Sequence, residues 1–149
     1  MDRITKEQRS VNMSKIRSNN TKPELLVRKA LWQHKCRYRL YPSSLPGKPD
    51  IFISKYRTAI FIHGCFWHQH QGCKRNFIPK SNLDYWKDKL KNNTLRFDKN
   101  KKSLQDLDIK VIVVWECEIN SQDKLNNVTE NILSAIKRQN PKEPARDSV

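Results

Sequence analysis

Residues 61–73 concentrate most of the side chains in this chain that can bind metals or transfer protons. The stretch reads FIHGCFWHQHQGC and holds three of the four histidines and two of the four cysteines. Buried imidazoles and thiols need polar partners, so core packing explains this crowding poorly. Cys65, His70 and Cys73 have the spacing of zinc ligands in one loop, and Cys117 follows a later apolar run. We therefore predict a closed tetrahedral zinc site that holds the loop against a β-sheet.

One aspartate and two further histidines are candidates for catalysis. Asp50 opens an apolar strand and His63 ends the next one, so a hairpin with a short turn would place the two close together. A carboxylate and a strand carbonyl offer the oxygen ligands that Mg²⁺ prefers. Neutral His63 and His68 could then act as base or acid on the attacking water or the leaving oxygen. A turn-forming role for Asp50, and a zinc site that uses a different histidine, remain open alternatives.

Two aromatic residues, Phe66 and Trp67, stand between the first zinc ligand and His68. Bulky side chains on a polar loop held by a metal are poorly placed to form the core. They could instead wedge between base pairs and unstack them. Packing beneath the zinc is the alternative. Cys36 has no cysteine or histidine at ligand spacing, and we interpret it as a buried residue without a role at the site.

The composition indicates a nucleic-acid-binding protein. The 149 residues suffice for one domain with a sizeable core. Thirty Lys and Arg against fifteen Asp and Glu give a net charge of +15, spread along the whole chain. Such a basic surface favours a polyanionic partner, although a charge kept for solubility is the alternative. No signal peptide is recognisable and no apolar run reaches the roughly 18 residues of a membrane span, so we expect a soluble intracellular protein.

Local signals divide the chain into alternating helices and strands. Thr21, Pro23 and Glu24 form a strong helix start, with an N-cap threonine, an early proline and a glutamate at the third helical position. The order α, α, β, β, β, α, β, α predicts an α/β fold with a small mixed sheet flanked by helices. The predicted elements are helices from Thr5 to Ile16 and from Thr21 to about His34, strands at 37–41, 50–53, 58–63 and 110–115, a long helix capped by Ser81 and Asp84, a last helix capped near Ser121, and a loose tail from Asn140.

The two C-terminal helices each carry an apolar stripe at helical spacing, which predicts the face that packs against the sheet. The expected core residues are Trp86, Leu90, Phe97, Leu104 and Leu107 in the long helix, and Leu125, Val128, Ile132 and Ile136 in the last one.

Two motifs, HGCFWH at 63–68 and VWEC at 114–117, are highly specific when they occur in this order. On these motifs the chain resembles the very-short-patch-repair (Vsr) endonucleases. These are bacterial enzymes that nick DNA next to the T of a T·G mismatch left by deamination of 5-methylcytosine. The similarity runs from about Arg9 to Ile119 and includes LPGKPD at 45–50.

The resemblance implies a restriction-endonuclease-like core with a structural zinc and a catalytic Mg²⁺. Asp50 would be the magnesium-binding carboxylate, with His63 and His68 as catalytic histidines and Glu24 as a helper. The zinc ligands would be Cys65, His70, Cys73 and Cys117, and the residues that open the duplex Phe66, Trp67, Trp86 and, from the opposite groove, Met13.

The resemblance also implies the partners. The substrate would be double-stranded DNA with a T·G mismatch, contacted in part by a helix within residues 1–17. A cytosine-5 DNA methyltransferase and mismatch-repair proteins would be functionally linked. We expect a monomer that works in the bacterial cytoplasm at the nucleoid.

Three departures from the family pattern concern the site. Ile62 stands where the family commonly has Thr, which is tolerable if this residue gives only its backbone carbonyl to Mg²⁺. The zinc loop has one extra residue at 71–72, before Cys73. The family aspartate that supports a catalytic histidine follows an arginine directly, whereas here Phe97 intervenes before Asp98. One residue turns a helix by about 100°, so Asp98 can replace it only if the helix shifts or bulges.

Two rival functions stay open at this point. One is a restriction-type endonuclease on the same fold that cuts intact duplex. The other is a zinc-stabilised DNA-binding module that has lost catalysis.

Overall fold

The computed structural model describes residues 20–74 and 77–137. The predicted helix from Thr5 to Ile16, the predicted intercalation by Met13 and the predicted tail from Asn140 concern residues outside these ranges. Within them, no helix is long and apolar enough to cross a membrane. The elements are helix α1 (Lys22–Gln33), strands β1 (Arg39–Leu40), β2 (Ile51–Ile53) and β3 (Thr58–His63), helix α2 (Leu83–Asp106), strand β4 (Lys110–Trp115) and helix α3 (Gln122–Lys137), with short 3₁₀ turns at Ser54–Tyr56 and Glu116–Glu118.

The four strands form one mixed sheet in the order β1-β2-β3-β4. Strand β2 runs antiparallel to both β1 and β3, which confirms the predicted hairpin. Strand β4 pairs in parallel with β3 after the crossover through α2, and this pairing sets His63 opposite Trp115. The predicted α/β class with a mixed sheet and flanking helices is confirmed. The restriction-endonuclease-like core stays a prediction.

The helices cover both faces of the sheet. Side chains alternate along β3, so Ile60 and Ile62 pack with α1 and α3, whereas Ala59 and Phe61 pack with α2. His63 continues the second series and contacts Phe61. The end of β3 therefore presents His63 on the side of α2. The core residues on the side of α1 and α3 include Val27, Leu31, Ile51, Ile53, Val114, Leu125, Ile132 and Ile136, and those on the side of α2 include Phe52, Leu104 and Ile109.

Two predicted helix starts are confirmed by their caps. At α1 the Thr21 hydroxyl accepts a hydrogen bond from the Glu24 amide at 3.4 Å, and a proline lies in the first turn. At α3 the Ser121 hydroxyl accepts from the Lys124 amide at 3.3 Å. Each cap satisfies one amide that has no partner within its own helix.

Three local predictions were wrong. The N-cap of α2 is Asn82, in the left-handed conformation and without a side-chain cap, and not Ser81; asparagine tolerates this conformation better than most residues. Leu107 is the C-cap, beyond the last helical turn, so it leaves the apolar stripe and is 48% exposed. Strand β1 spans only two residues, because only Arg39 and Leu40 pair with β2.

Candidate active site and metal centre

A cleft of about 900 Å³ opens where the start of α1, the end of β3 and the middle of α2 meet. The β2–β3 hairpin brings Asp50 and His63 to this cleft, as its short turn predicts. Helix α1 adds Glu24, and the loop after β3 adds His68. Four of the five predicted catalytic residues therefore share one cavity. The other lining residues are Thr21, Pro23, Tyr41, Gly47, Lys48, Phe61, Ile62, Gly64, Trp67, Lys89, Asn93, Arg96, Phe97, Asn100 and Glu116.

The Asp50 carboxyl group ties β2 to β3 and faces the cleft. Its Oδ2 atom accepts a hydrogen bond of 2.7 Å from the backbone amide of Ile62. Burial, opposed by this hydrogen bond and reinforced by the nearby Glu24, raises the pKa of Asp50 to about 7. The charged form is thus costly in the cleft, and a nearby cation would offset that cost.

The Glu24 and Asp50 side chains are neighbours in the cleft, and Glu24 helps to raise the pKa of Asp50. Glu24 is only 3% exposed and forms an ion pair of 3.1 Å with Arg28. Two adjoining carboxyl groups, one of them with a raised pKa, fit a hard divalent cation that binds oxygen ligands. The Ile62 side chain packs against the core on the side of α1 and α3. Its backbone is therefore the part of Ile62 that is available to line the cleft.

The His63 and His68 rings form a parallel stack beside these carboxyl groups. Their centroids are 3.7 Å apart with an angle of 7° between the planes. Burial lowers the pKa of His63 to about 3, with help from the neighbouring His68, and burial lowers the pKa of His68 to about 4. Both imidazoles are therefore neutral near pH 7 and can accept a proton. The Nδ1 atom of each ring is buried and has no hydrogen-bond partner among the described residues.

Phe97, and not a carboxylate, packs against this histidine pair. Its ring meets the His63 ring edge-on at 4.4 Å. Helix α2 is continuous from Leu83 to Asp106, and Asp98 is exposed and does not line the cleft. The predicted support of a histidine by Asp98 is therefore not formed, because a regular helix turns the next residue away by about 100°.

Four predicted zinc ligands come together at the end of the sheet. The ligand atoms of Cys65, His70, Cys73 and Cys117 all lie within 4.8 Å of one another. The extra residue in the loop does not displace them, since Gly72 adopts φ +78° and turns the chain back. Three thiols and one imidazole match the ligand preference of a structural zinc. Burial and the adjoining thiols raise the pKa of Cys65 to about 12, so its thiolate needs a cation.

Trp115 joins the metal centre to the histidine pair. Its ring lies parallel to the His70 ring at 4.1 Å and meets the His63 ring edge-on at 5.1 Å. The next residue, Glu116, accepts a hydrogen bond of 3.2 Å from the Cys65 amide. The metal centre and the histidine pair therefore pack against the same segment of the chain.

The predicted wedge residues are neighbours in space. Phe66 contacts both Trp67 and Trp86, at centroid distances of 5.2 and 5.5 Å. Trp86 is buried beneath them, whereas Phe66 and Trp67 are half-buried. The exposed Phe77 extends the cluster next to Phe66. Trp86 is thus placed to support the other two rings from below.

Sequence reasoning missed a polar row on α2. Lys89, Asn93, Arg96 and Asn100 recur at intervals of four, three and four residues and line the cleft. Asn93 also donates a hydrogen bond of 3.3 Å to the carbonyl of Trp67. Helical periodicity was the signal that could have revealed this row, since it adjoins the apolar stripe.

A cleft that combines paired carboxyl groups with neutral histidines, in a strongly basic chain, has the make-up of a nuclease. A family model described as DNA mismatch endonuclease Vsr matches residues 1–75. The type II nicking enzyme V.NmeAIP of Neisseria meningitidis serogroup A is 46% identical over 91% of this chain and 99% of its own length. V.XorIIP of Xanthomonas oryzae is 42% identical over 89% of the chain and 96% of its own length.

The DNA mismatch endonuclease Vsr of Escherichia coli K12 is 35% identical to this chain. That match covers 82% of this chain and 78% of the relative. The chain belongs to the Vsr family of DNA mismatch endonucleases.

Proposed function

We propose that this protein nicks one strand of duplex DNA next to the T of a T·G mismatch that arises from deamination of 5-methylcytosine. The observation that carries this proposal is the meeting of Asp50, Glu24, His63 and His68 in one cleft with Trp67 on its wall. The names of the relatives, a mismatch endonuclease and several nicking enzymes, agree with single-strand hydrolysis.

Asp50, Glu24 and the backbone of Ile62 would hold the catalytic Mg²⁺. When bound, this ion supplies positive charge for the scissile phosphate and the leaving oxygen. The protein prepares the place for it by holding two carboxyl groups together in a buried cleft. The Asp50–Ile62 hydrogen bond fixes the direction of one of them.

The neutral histidines would handle the proton of the attacking water. His68 is half-buried and faces the cleft, whereas His63 is 3% exposed and stacks behind it. His68 therefore takes the role of base, and His63 holds its ring in place. Phe97 keeps water away from the far side of the pair.

The aromatic cluster would provide the selectivity for mismatches. Phe66 and Trp67 insert beside the mispaired bases, and Trp86 supports them. A mispaired step costs less to open than a matched one, so the same wedge discriminates between the two. Zinc on Cys65, His70, Cys73 and Cys117 keeps the loop that carries the wedge in register with the sheet.

The test is a nicking assay on duplexes with one T·G mismatch in randomised flanks, with Mg²⁺ or EDTA. We expect nicks in the T strand within a defined sequence context, and none with EDTA or with the Asp50→Ala variant. Double-strand cuts at matched sites would instead establish a restriction-type enzyme. Mismatch binding without any nick would establish an inactive binding module.

The sequence context that this assay returns also tests the partners. We expect it to match the site of a cytosine-5 DNA methyltransferase in the source bacterium, with mismatch-repair proteins as later helpers. The protein would act as a monomer, which light scattering in the presence of a single duplex can check.

A further inference from the structure

Three hydrogen-bond donors converge on one oxygen of Glu24. The Oε2 atom accepts bonds from the Asn20 amide at 3.0 Å, from Arg28 Nη2 at 3.1 Å and from the Tyr41 hydroxyl. Oε1 receives none of these three bonds. Glu24 and Arg28 are 3% and 9% exposed, so both charged groups are held inside the protein. The carboxylate is thus anchored at one oxygen, and it lies close enough to the Asp50 side chain to raise the pKa of that group.

The Tyr41 hydroxyl is a third partner beside the direct contact of the Glu24 carboxylate with the Arg28 guanidinium. It accepts a hydrogen bond from Arg28 Nη2 and donates one to Glu24 Oε2. The second terminal nitrogen of Arg28, Nη1, is engaged by the Asn20 side chain at 2.8 Å. The Glu24–Arg28 ion pair therefore has only one direct contact. An arginine and a carboxylate that share no third hydrogen-bond partner favour two parallel hydrogen bonds with each other.

The backbone at Tyr41 is bent to reach this position. Its φ of +46° lies in the left-handed region, which residues with a side chain seldom adopt. The following residue is Pro42, which disfavours compact conformations of the residue before it. The surrounding contacts must hold Tyr41 in place, as is common for residues that serve a functional site.

We propose that Tyr41 is a positioning residue for divalent-cation binding. Its hydroxyl prevents Glu24 from closing onto Arg28 through both oxygens and so keeps Oε1 available beside Asp50. This inference rests on the proposed function, since it concerns the cation that the Glu24–Asp50 pair would hold. Tyr41 acts through Glu24 and has no contact with the reacting groups in this scheme.

Tyr41→Phe tests this role, with Tyr38→Phe as its matched control. Tyr38 donates a hydrogen bond of 3.3 Å to the carbonyl of Arg28, so its loss affects the same arginine without touching Glu24. Mn²⁺ serves as the probe, and its binding to the zinc-loaded, DNA-free protein is followed by electron paramagnetic resonance. We expect Tyr41→Phe to weaken Mn²⁺ binding about tenfold, and Tyr38→Phe to leave it within about twofold.

Removal of the arginine separates positioning from a general structural role. In an Arg28→Gln background Glu24 has no guanidinium to close onto, so Tyr41→Phe should then change Mn²⁺ binding by less than about twofold. An equal tenfold loss in both backgrounds would overturn the inference. So would wild-type Mn²⁺ affinity in Tyr41→Phe, or a wild-type protein that binds no Mn²⁺. Thermal unfolding of the zinc-loaded variants without added Mn²⁺ or Mg²⁺ identifies any variant that is merely misfolded.

Nicking of a T·G duplex distinguishes this inference from the proposed function. We expect Tyr41→Phe to raise the Mg²⁺ concentration for half-maximal nicking about tenfold, with kcat restored at saturating Mg²⁺. A wild-type protein that never nicks but shows the Mn²⁺ differences would overturn the proposed function alone. A wild-type protein that nicks while Tyr41→Phe matches it at every Mg²⁺ concentration would overturn the positioning role alone.

Discussion

Several residues in the cleft have pKa values or a degree of burial that the same side chains would not have in water. Asp50 has a raised pKa, His63 and His68 have lowered ones, and Glu24 is almost completely buried. Such shifts cluster at functional sites, because catalysis needs groups whose proton affinity suits the reaction. The two histidines are therefore neutral near pH 7, and the charged form of Asp50 is stabilised when a cation is near.

Asp50→Asn tests the energetic cost of this carboxylate. The pKa of Asp50 is about 7 in the folded protein and about 4 when unfolded, so the unfolded state releases its proton first as pH rises. The protein without added Mg²⁺ should therefore lose stability between about pH 4 and pH 7, by on the order of 4 kcal/mol. We expect Asp50→Asn to be more stable than wild type at pH 8 and equal to it at pH 4.

Thermal unfolding across this pH range provides the measurement. Asp98→Asn is the matched control, because Asp98 is exposed on α2 and outside the cleft. It should leave the pH profile unchanged, and Mg²⁺ should reduce the advantage of Asp50→Asn at pH 8. Equal stability of Asp50→Asn and wild type at pH 8 would show that the ionised Asp50 carboxylate does not destabilise the folded protein.

Two elements depend on contacts beyond their own sequence. The loop after β3 contains little regular structure. Its shape relies on three potential metal ligands, Cys65, His70 and Cys73, which lie close to Cys117, a residue that follows β4 in the chain. Helix α2 lines the cleft with Phe97, which packs against His63, and with the adjoining polar row. Both elements position side chains for the site, so substitutions that disrupt either element should alter function.

Cys117→Ser should cut the link between the loop and the sheet. We expect loss of bound zinc and a fall of about 10 °C in the melting temperature, because metal binding and folding are coupled. Cys36→Ser is the control, since Cys36 is a buried thiol that lies outside the ligand cluster. That variant should keep its zinc and remain sensitive to a chelator. An unchanged melting temperature after zinc loss would contradict the structural role.

Phe66→Ala combined with Trp67→Ala should lower the preference for mismatched over matched duplex by at least about tenfold. The reason is that base–aromatic stacking contributes about 1–3 kcal/mol per base. Competition binding with the two duplexes gives the ratio. Trp32→Ala is the control, because Trp32 is 65% exposed on α1 and does not line the cleft. An equal loss on both duplexes would indicate that the pair serves packing.

The whole molecule is an α/β protein with a large positive net charge. Thirty basic residues against fifteen acidic ones create a field that attracts the phosphate backbone at any sequence. Affinity from this source comes from release of counterions and falls as salt rises. Specificity must then come from the cleft and the aromatic cluster, which the fold places side by side.

Binding of matched duplex should weaken linearly on a plot of log affinity against log salt concentration. Each phosphate contact contributes about 0.9 to the slope, so Arg96→Ala, at the cleft, should reduce the slope by about 1. Lys137→Ala, at the exposed end of α3, is the control and should leave the slope unchanged. A slope that responds to neither variant would place the DNA on another face.

The sequence by itself determined the elements and much of the site. Cap residues and apolar periods are local signals, so α1, α3 and the β2–β3 hairpin were predictable with small errors at their ends. A hairpin with a short turn has one geometry, which is why Asp50 and His63 could be expected to meet. The zinc ligands followed from spacing within one loop and from one remote thiol after a strand.

Only the tertiary structure decided which faces of distant elements meet. The apolar stripe predicted that Phe97 faces the sheet, but the packing of α2 decided that its ring meets His63 and that Asp98 stays exposed. The contact of Tyr41, which follows β1, with Glu24 of α1 joins residues seventeen positions apart in the chain. Such contacts depend on how the helices and the sheet pack as whole bodies, which is settled by the sum of many burial energies and not by neighbours along the chain.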